Sequence, residues 1–180
     1  MNQLIHLCNK NNKILQSARK MLLASVVFSS RLGWLPGNFS PVGSFGFFGG
    51  AIWLYLAIVI GFDVLVGGLY SGFMFTYLGF LAYPLLGKFA RENWKRQVVL
   101  LPAASTSFFL LSNLGVWWYW FPHTIDGLIL CYTLALPFFA RTIMGDFIFG
   151  YGYLLLRGLL HVVKHNTAPT PFDRTAQAAS

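Results

Sequence analysis

Arg31, Asp63, Asp126, Arg141 and Asp146 are ionisable side chains set in, or at the edges of, long hydrocarbon-like runs, and that setting limits the chemistry open to them. A charge at bilayer depth is costly unless it faces a cavity or meets an opposite charge. Asp63 lies between two long apolar stretches, so its sequence neighbours cannot neutralise it; Arg31 and Arg141 are the candidate partners. Contact with a bound solute is one reading of each of the five; a fixed ion pair or an interfacial position is the other. No subset has the spacing of a catalytic acid–base pair. H-E-x-x-H and G-x-S-x-G are missing, and Gly87-Lys88 is followed by Phe89 without the upstream glycine of a Walker A loop. The chemistry on offer is recognition by charge and hydrogen bonding. An enzyme is not expected, and any nucleotide-powered step would need another subunit.

Asn113 and the run Trp117-Trp118-Tyr119-Trp120 lead into Pro122 and His123. Such a run could form a stacking wall over a ring-containing solute, with Asn113 as hydrogen-bonding anchor. An interfacial aromatic belt explains the same residues without a ligand. His6, His123, His161 and His165 are scattered, and Cys8 and Cys131 have neither metal-ligand spacing nor an arguable disulfide pairing, so no metal or cofactor is expected. Ser25, Ser29 and Gly33 fall four apart and predict a small-residue stripe on the first helix, suited either to a partner helix or to packing within the chain.

The elements that carry these residues are set by hydropathy. Leu32–Phe62, Val64–Gly87 and Gln97–Ile125 are uncharged, and each exceeds the roughly 20 residues that cross a bilayer core. With 56% hydrophobic and 10% charged residues, and a mean hydropathy of +0.60, the chain lies far from soluble composition. The expectation is all-α: a polytopic membrane helical bundle of about six transmembrane helices with short or re-entrant segments. Residues 1–20 read as a basic cytoplasmic N-terminus, 21–165 as a single transmembrane bundle, and 166–180 as a disordered polar tail. The net charge of +8 is concentrated at Lys10, Lys13, Arg19 and Lys20, and again at Lys88, Arg91, Lys95 and Arg96. Clusters flanking apolar runs are what positive-inside topology produces, and they argue against nucleic acid as a partner. Residues 21–30 resemble a signal-peptide core, but Arg31 follows and no A-x-A-like site appears, so an uncleaved helix is expected.

If the basic clusters share the cytoplasmic side, an even number of crossings separates each pair. Simple reading gives three helices before Lys88, at 21–35, 42–61 and 64–86, so one is re-entrant or the Gly-rich stretch 42–87 breaks into three short pieces. After Arg96, residues 98–116 go outward and a segment ending at 155–163 returns, with 127–139 a short or re-entrant piece. Pro36, Pro41, Pro84, Pro102, Pro122 and Pro137, with 18 glycines, imply many such breaks. Irregular backbone at membrane depth survives only around protein or a cavity, so a hollow interior is expected.

Arg31, Pro36, Asn38-Phe39-Ser40-Pro41-Val42-Gly43 and Phe48-Gly49-Gly50-Ala51 resemble the opening of an uncharacterised family of small bacterial inner-membrane proteins. The resemblance continues through Asp63, Tyr77-Leu78-Gly79-Phe80, Phe108-Phe109, Asn113-Leu114-Gly115-Val116-Trp117, Pro122, Thr124 and Gly127. It ends with Cys131-Tyr132, Pro137-Phe138-Phe139, Thr142 and Gly145-Asp146, and departs at Ile52–Phe62, where the family's short basic loop is missing. In size and layout the family is similar to the S components of energy-coupling-factor transporters, six-helix proteins that capture vitamins or related micronutrients. That likeness implies a solute-binding uptake protein, without covalent chemistry, in a bacterial inner membrane with both termini cytoplasmic. It places Asn38, Asp63, Asn113, Trp117 and Tyr132 near the solute, and the embedded charges Arg31, Asp126, Arg141 and Asp146 join them as expected solute contacts. Ser25, Ser29 and Gly33 would then dock a membrane coupling subunit attached to ATPases. The rival expectation is a non-catalytic accessory or structural subunit of a larger membrane complex, with a filled core.

Overall fold

A computed structural model describes residues 2–49, 51–91 and 93–166. Gly50 and the tail from residue 167 onward lie outside the described residues, as do the side chains of His6, Cys8, His161 and His165. All regular structure among the described residues is helical: α1 (Asn2–Ser30), α2 (Val42–Phe48), α3 (Ile52–Phe62), α4 (Phe73–Ala90), α5 (Trp94–Trp120) and α6 (Ile125–Asn166). One π-helical turn, Asp63–Gly67, continues α3. Three helices are long and apolar enough to cross a membrane: Phe73–Ala90, Trp94–Trp120 and Ile125–Leu160. The Gly-rich stretch does break into three pieces, of which α2 has only 7 residues.

Two boundaries differ from expectation. α1 stops at Ser30, and Gly33 sits beyond it in a turn with φ of 91°, so Ser25 and Ser29 share a helix face but Gly33 does not continue it. Left-handed backbone is open to glycine at little cost, which is why the helix can end there. Residues 127–139, expected as a short or re-entrant piece, are instead part of α6, which runs unbroken through Pro137 for 42 residues, about 63 Å. That is twice a bilayer core of roughly 30 Å.

The proline inside α5 is tolerated because a neighbouring helix takes up the carbonyl it frees. Pro102 has no N–H for the carbonyl of Val98, and the Tyr151 hydroxyl of α6 donates to that carbonyl at 2.8 Å. The same bond ties α6 to α5 near their basic ends. At the start of α5 the side chain of Asn93 accepts from the backbone N–H groups of Lys95 and Arg96, satisfying two amides that the helix cannot. α4 and α5 form the closest pair. A Cβ on Gly79 would press on the Phe108 backbone at 3.1 Å and one on Gly115 on Phe75 Cβ at 2.6 Å, so both glycines let backbones approach.

The core divides between two clusters. Tyr55, Ile58 and Val59 of α3 meet Ala24 and Val27 of α1, while Phe47 and Tyr83 meet Leu101 and Ala104 of α5. Tyr55 is 1% exposed, and its hydroxyl has no hydrogen-bond partner among the described residues. An unsatisfied buried hydroxyl costs about 1–3 kcal/mol. Tyr55→Phe should therefore leave the thermal midpoint in detergent unchanged or raise it; a fall of several degrees would mean that the hydroxyl has a partner in solution.

Candidate functional site

The turn after α1 aims Arg31 back at the junction of α3 and its π-helical turn. Its guanidinium donates to Asp63 Oδ1 at 3.2 Å and to the Val59 carbonyl at 3.3 Å, and lies 4.0 Å from the centroid of the Phe62 ring. Asp63 is the first residue of the π turn and is buried. The wider turn interrupts α3 at the position where the carboxylate must meet an arginine from another helix, and such turns often mark functional positions. Two anchors on the cation, a carboxylate and an aromatic face, fix its direction.

A second buried carboxylate stands on α6. Asp146 is 1% exposed and accepts hydrogen bonds from Tyr83 Oη of α4 at 2.5 Å and Ser105 Oγ of α5 at 2.7 Å. Ser44 of α2 donates to its backbone carbonyl at 3.1 Å. Four helices thus converge on one residue. Gly43 makes this possible: a Cβ there would overlap Asp146 Oδ1 and lie within 2.5 Å of the Tyr83 ring.

Between these two clusters the bundle is hollow. One cavity of about 510 Å³ is lined by Arg31, Asn38, Gly43, Tyr83, Thr142 and Asp146 among others. A second, about 480 Å³, is lined by Arg31, Asp63, Asn113, Cys131, Phe139 and Thr142 among others. They share Arg31, Asn38, Phe80, Phe108 and Thr142, so the guanidinium borders both, with one carboxylate on each side. Phe80 and Phe108 form the apolar part of the shared wall, their centroids 4.5 Å apart. Asn38 holds a left-handed φ of 66°, a conformation its short polar side chain tolerates better than most. The arrangement can hold a polar solute by charge and hydrogen bonds against aromatic faces.

Of the residues expected near a solute, Arg31, Asn38, Asp63, Asn113 and Asp146 line the hollow. The Asn113 side-chain amide also donates to the Phe109 carbonyl at 2.8 Å. Trp117, Asp126, Tyr132 and Arg141 border neither cavity. Trp117 Nε1 donates to the Pro122 carbonyl at 3.0 Å and braces the α5–α6 turn, as an interfacial aromatic would. Tyr132 spends its hydroxyl on the Leu110 carbonyl at 2.7 Å. Asp126 is exposed in the first turn of α6, where the helix dipole favours a carboxylate. Arg141 faces outward. Tyr83, Ser105, Phe80 and Thr142 are the lining or clustered residues that reading for charges missed. Phe80, Phe108, Thr142 and Gly43 all stood in the motifs of the family resemblance, the one signal that could have marked them.

Ser25 and Ser29 are exposed and border a shallow groove with Ala57 and Ile58 of α3, whereas Ala24 and Val27 are the residues of α1 buried against that helix. A family model described as a family of unknown function (DUF6580) matches residues 10–170. No curated protein and no solved structure matches the chain.

Proposed function

The chain belongs to this family of unknown function, and from its geometry we propose an integral-membrane protein that binds a small solute in the Arg31-bordered hollow and passes it across the bilayer. The observation that carries the reading is the pair of adjoining cavities, about 510 and 480 Å³, both bordered by Arg31, with the buried carboxylate of Asp146 lining one and that of Asp63 the other. Ligand sites commonly enclose 300–1,000 Å³, largely apolar with a few convergent polar groups. Within that hollow Arg31 and Asp63 orient polar groups, Asn38 and Asn113 supply hydrogen bonds, and Phe80 and Phe108 face a ring. A vitamin-like micronutrient is the guest class that we propose for that lining. The protein would then reside in a bacterial inner membrane with both termini cytoplasmic, as the basic clusters predict, and hand its solute on with a coupling subunit.

A thermal-shift screen of the purified protein against vitamins and related micronutrients tests this. A solute at about 100 times its Kd should stabilise by about 2.7 kcal/mol, several degrees in midpoint. Loss of that shift in Asn113→Ala, with folding intact, would place the solute in the hollow. No shift with any compound tried, and none that depends on Asn113, would sink the reading.

Arg141 favours a second reading, an accessory subunit of a larger membrane complex. It is exposed about 24 Å along α6 from Ile125, a depth at which an arginine would be expected to meet a partner's acid or snorkel. Proteins that co-purify in mild detergent separate the two: coupling ATPases fit uptake, a large assembly without them fits a scaffold.

A further inference from the structure

At the end of the bundle where α4 meets α5, a separate cavity of about 280 Å³ opens, lined by none of the residues that border the hollow. Its formation follows from Gly87. Where that residue lacks a Cβ, the backbone carbonyl of Phe47 rides directly on α4, bringing the end of α2 into the gap between α4 and α6. Phe48 packs on Tyr153 of α6 at 5.0 Å between centroids, and Phe47, Phe48, Ile52 and Pro84 give the cavity an apolar floor.

Its rim is cationic. Lys88 and Arg91 stand three apart on the last turn and cap of α4, and Arg157 stands one turn beyond Tyr153 on α6, so helical spacing turns each pair toward the same opening. Gln97 is 5% exposed and donates to the Arg91 carbonyl at 3.0 Å, which pins the α4–α5 corner and the base of the Arg91 side chain. No carboxylate among the described residues lines this cavity. Three cations around one concave site make it attractive to an anion.

We propose that this cavity binds a phosphate ester of net negative charge, its phosphate held by Lys88, Arg91 and Arg157 and its apolar portion on the phenylalanine floor. Arginine forks match phosphate oxygens in pairs, and basic pockets between membrane helices are where anionic headgroups bind. The shared chemistry is the phosphate; the source is a phospholipid headgroup or a free phosphate compound.

The full chain, purified in neutral detergent, is tested by native mass spectrometry with phosphatidylglycerol and with phosphatidylcholine, and by thermal shift with inorganic phosphate. Phosphatidylglycerol should be retained at a single saturable site and phosphatidylcholine should not. K88Q/R91Q/R157Q should weaken that retention on the order of a hundredfold and R157Q alone about fivefold. K13Q/K95Q/R96Q, which removes as many charges elsewhere, should keep it. R157Q keeps the test decisive if the triple variant does not fold. A phosphate shift that vanishes in R157Q identifies a free phosphate compound as sufficient, and retention of phosphatidylglycerol alone identifies the lipid. Equal retention of both lipids, equal loss in the two triple variants, or no response to either probe overturns the proposal. None of these outcomes bears on the solute hollow, which Asn113→Ala tests separately.

Discussion

Gly43→Ala is expected to collapse the Asp146 cluster and lower the thermal midpoint in detergent by many degrees. The added carbon would overlap Asp146 Oδ1 and the Tyr83 ring, both of them nearly inaccessible. Neither can retreat without breaking the hydrogen bond between them. Overpacking costs about 1–3 kcal/mol, and a lost hydrogen bond to a charged group about 1.5–3 kcal/mol more. Gly61→Ala is the control. It lies in α3, and an added methyl carbon there would have nothing within 4 Å, so the same change should gain up to about 1 kcal/mol through helix propensity. Equal midpoints for the two variants would mean that α2 does not press Gly43 against α6.

Asp63→Ala should destabilise the protein by about 3 kcal/mol and abolish the solute-dependent shift, because it leaves Arg31 without the carboxylate that it meets at 3.2 Å. The figure sits at the low end of the range for a broken buried pair, since the Arg31 side chain is 19% exposed and water screens part of the cost. Arg31→Met should do likewise by stranding the carboxylate. The double variant Arg31→Met with Asp63→Leu should recover much of the stability, since two apolar groups need no partner, yet still bind no solute. Chemical unfolding of the four proteins gives the coupling directly. Single variants no less stable than the double would remove the pair from any structural role, and solute binding retained by the double would remove it from recognition.

The charges were legible because hydrocarbon makes them conspicuous. Arg31 could be matched with Asp63 in advance as one of two options, and the chain could not choose between Arg31 and Arg141, which depends on where α1 ends. Tyr83 and Ser105 were not legible at all. A tyrosine and a serine in apolar helices are ordinary residues until α4, α5 and α6 bring them within hydrogen-bonding distance of one carboxylate. The expectation of broken helices rests on proline and glycine counts and is met between residues 42 and 72, where glycine permits the turns. It fails at Pro137, which α6 carries without a break. A proline removes one donor and crowds one turn, and whether the helix then stops depends on what surrounds the freed carbonyl.

By itself the chain determined what hydropathy and residue chemistry determine locally: helical segments long enough to cross a membrane, basic clusters at their ends, and a handful of charges needing partners. The tertiary structure decided which charges meet. It set Arg31 on Asp63, left Arg141 outward, gathered hydroxyls around Asp146, and opened the hollow between them. The physical reason is range. Transfer of a side chain into hydrocarbon is a property of that side chain and its neighbours in sequence, whereas a hydrogen bond of 2.5–3.2 Å depends on helices separated by tens of residues, and on the few glycines that let them touch.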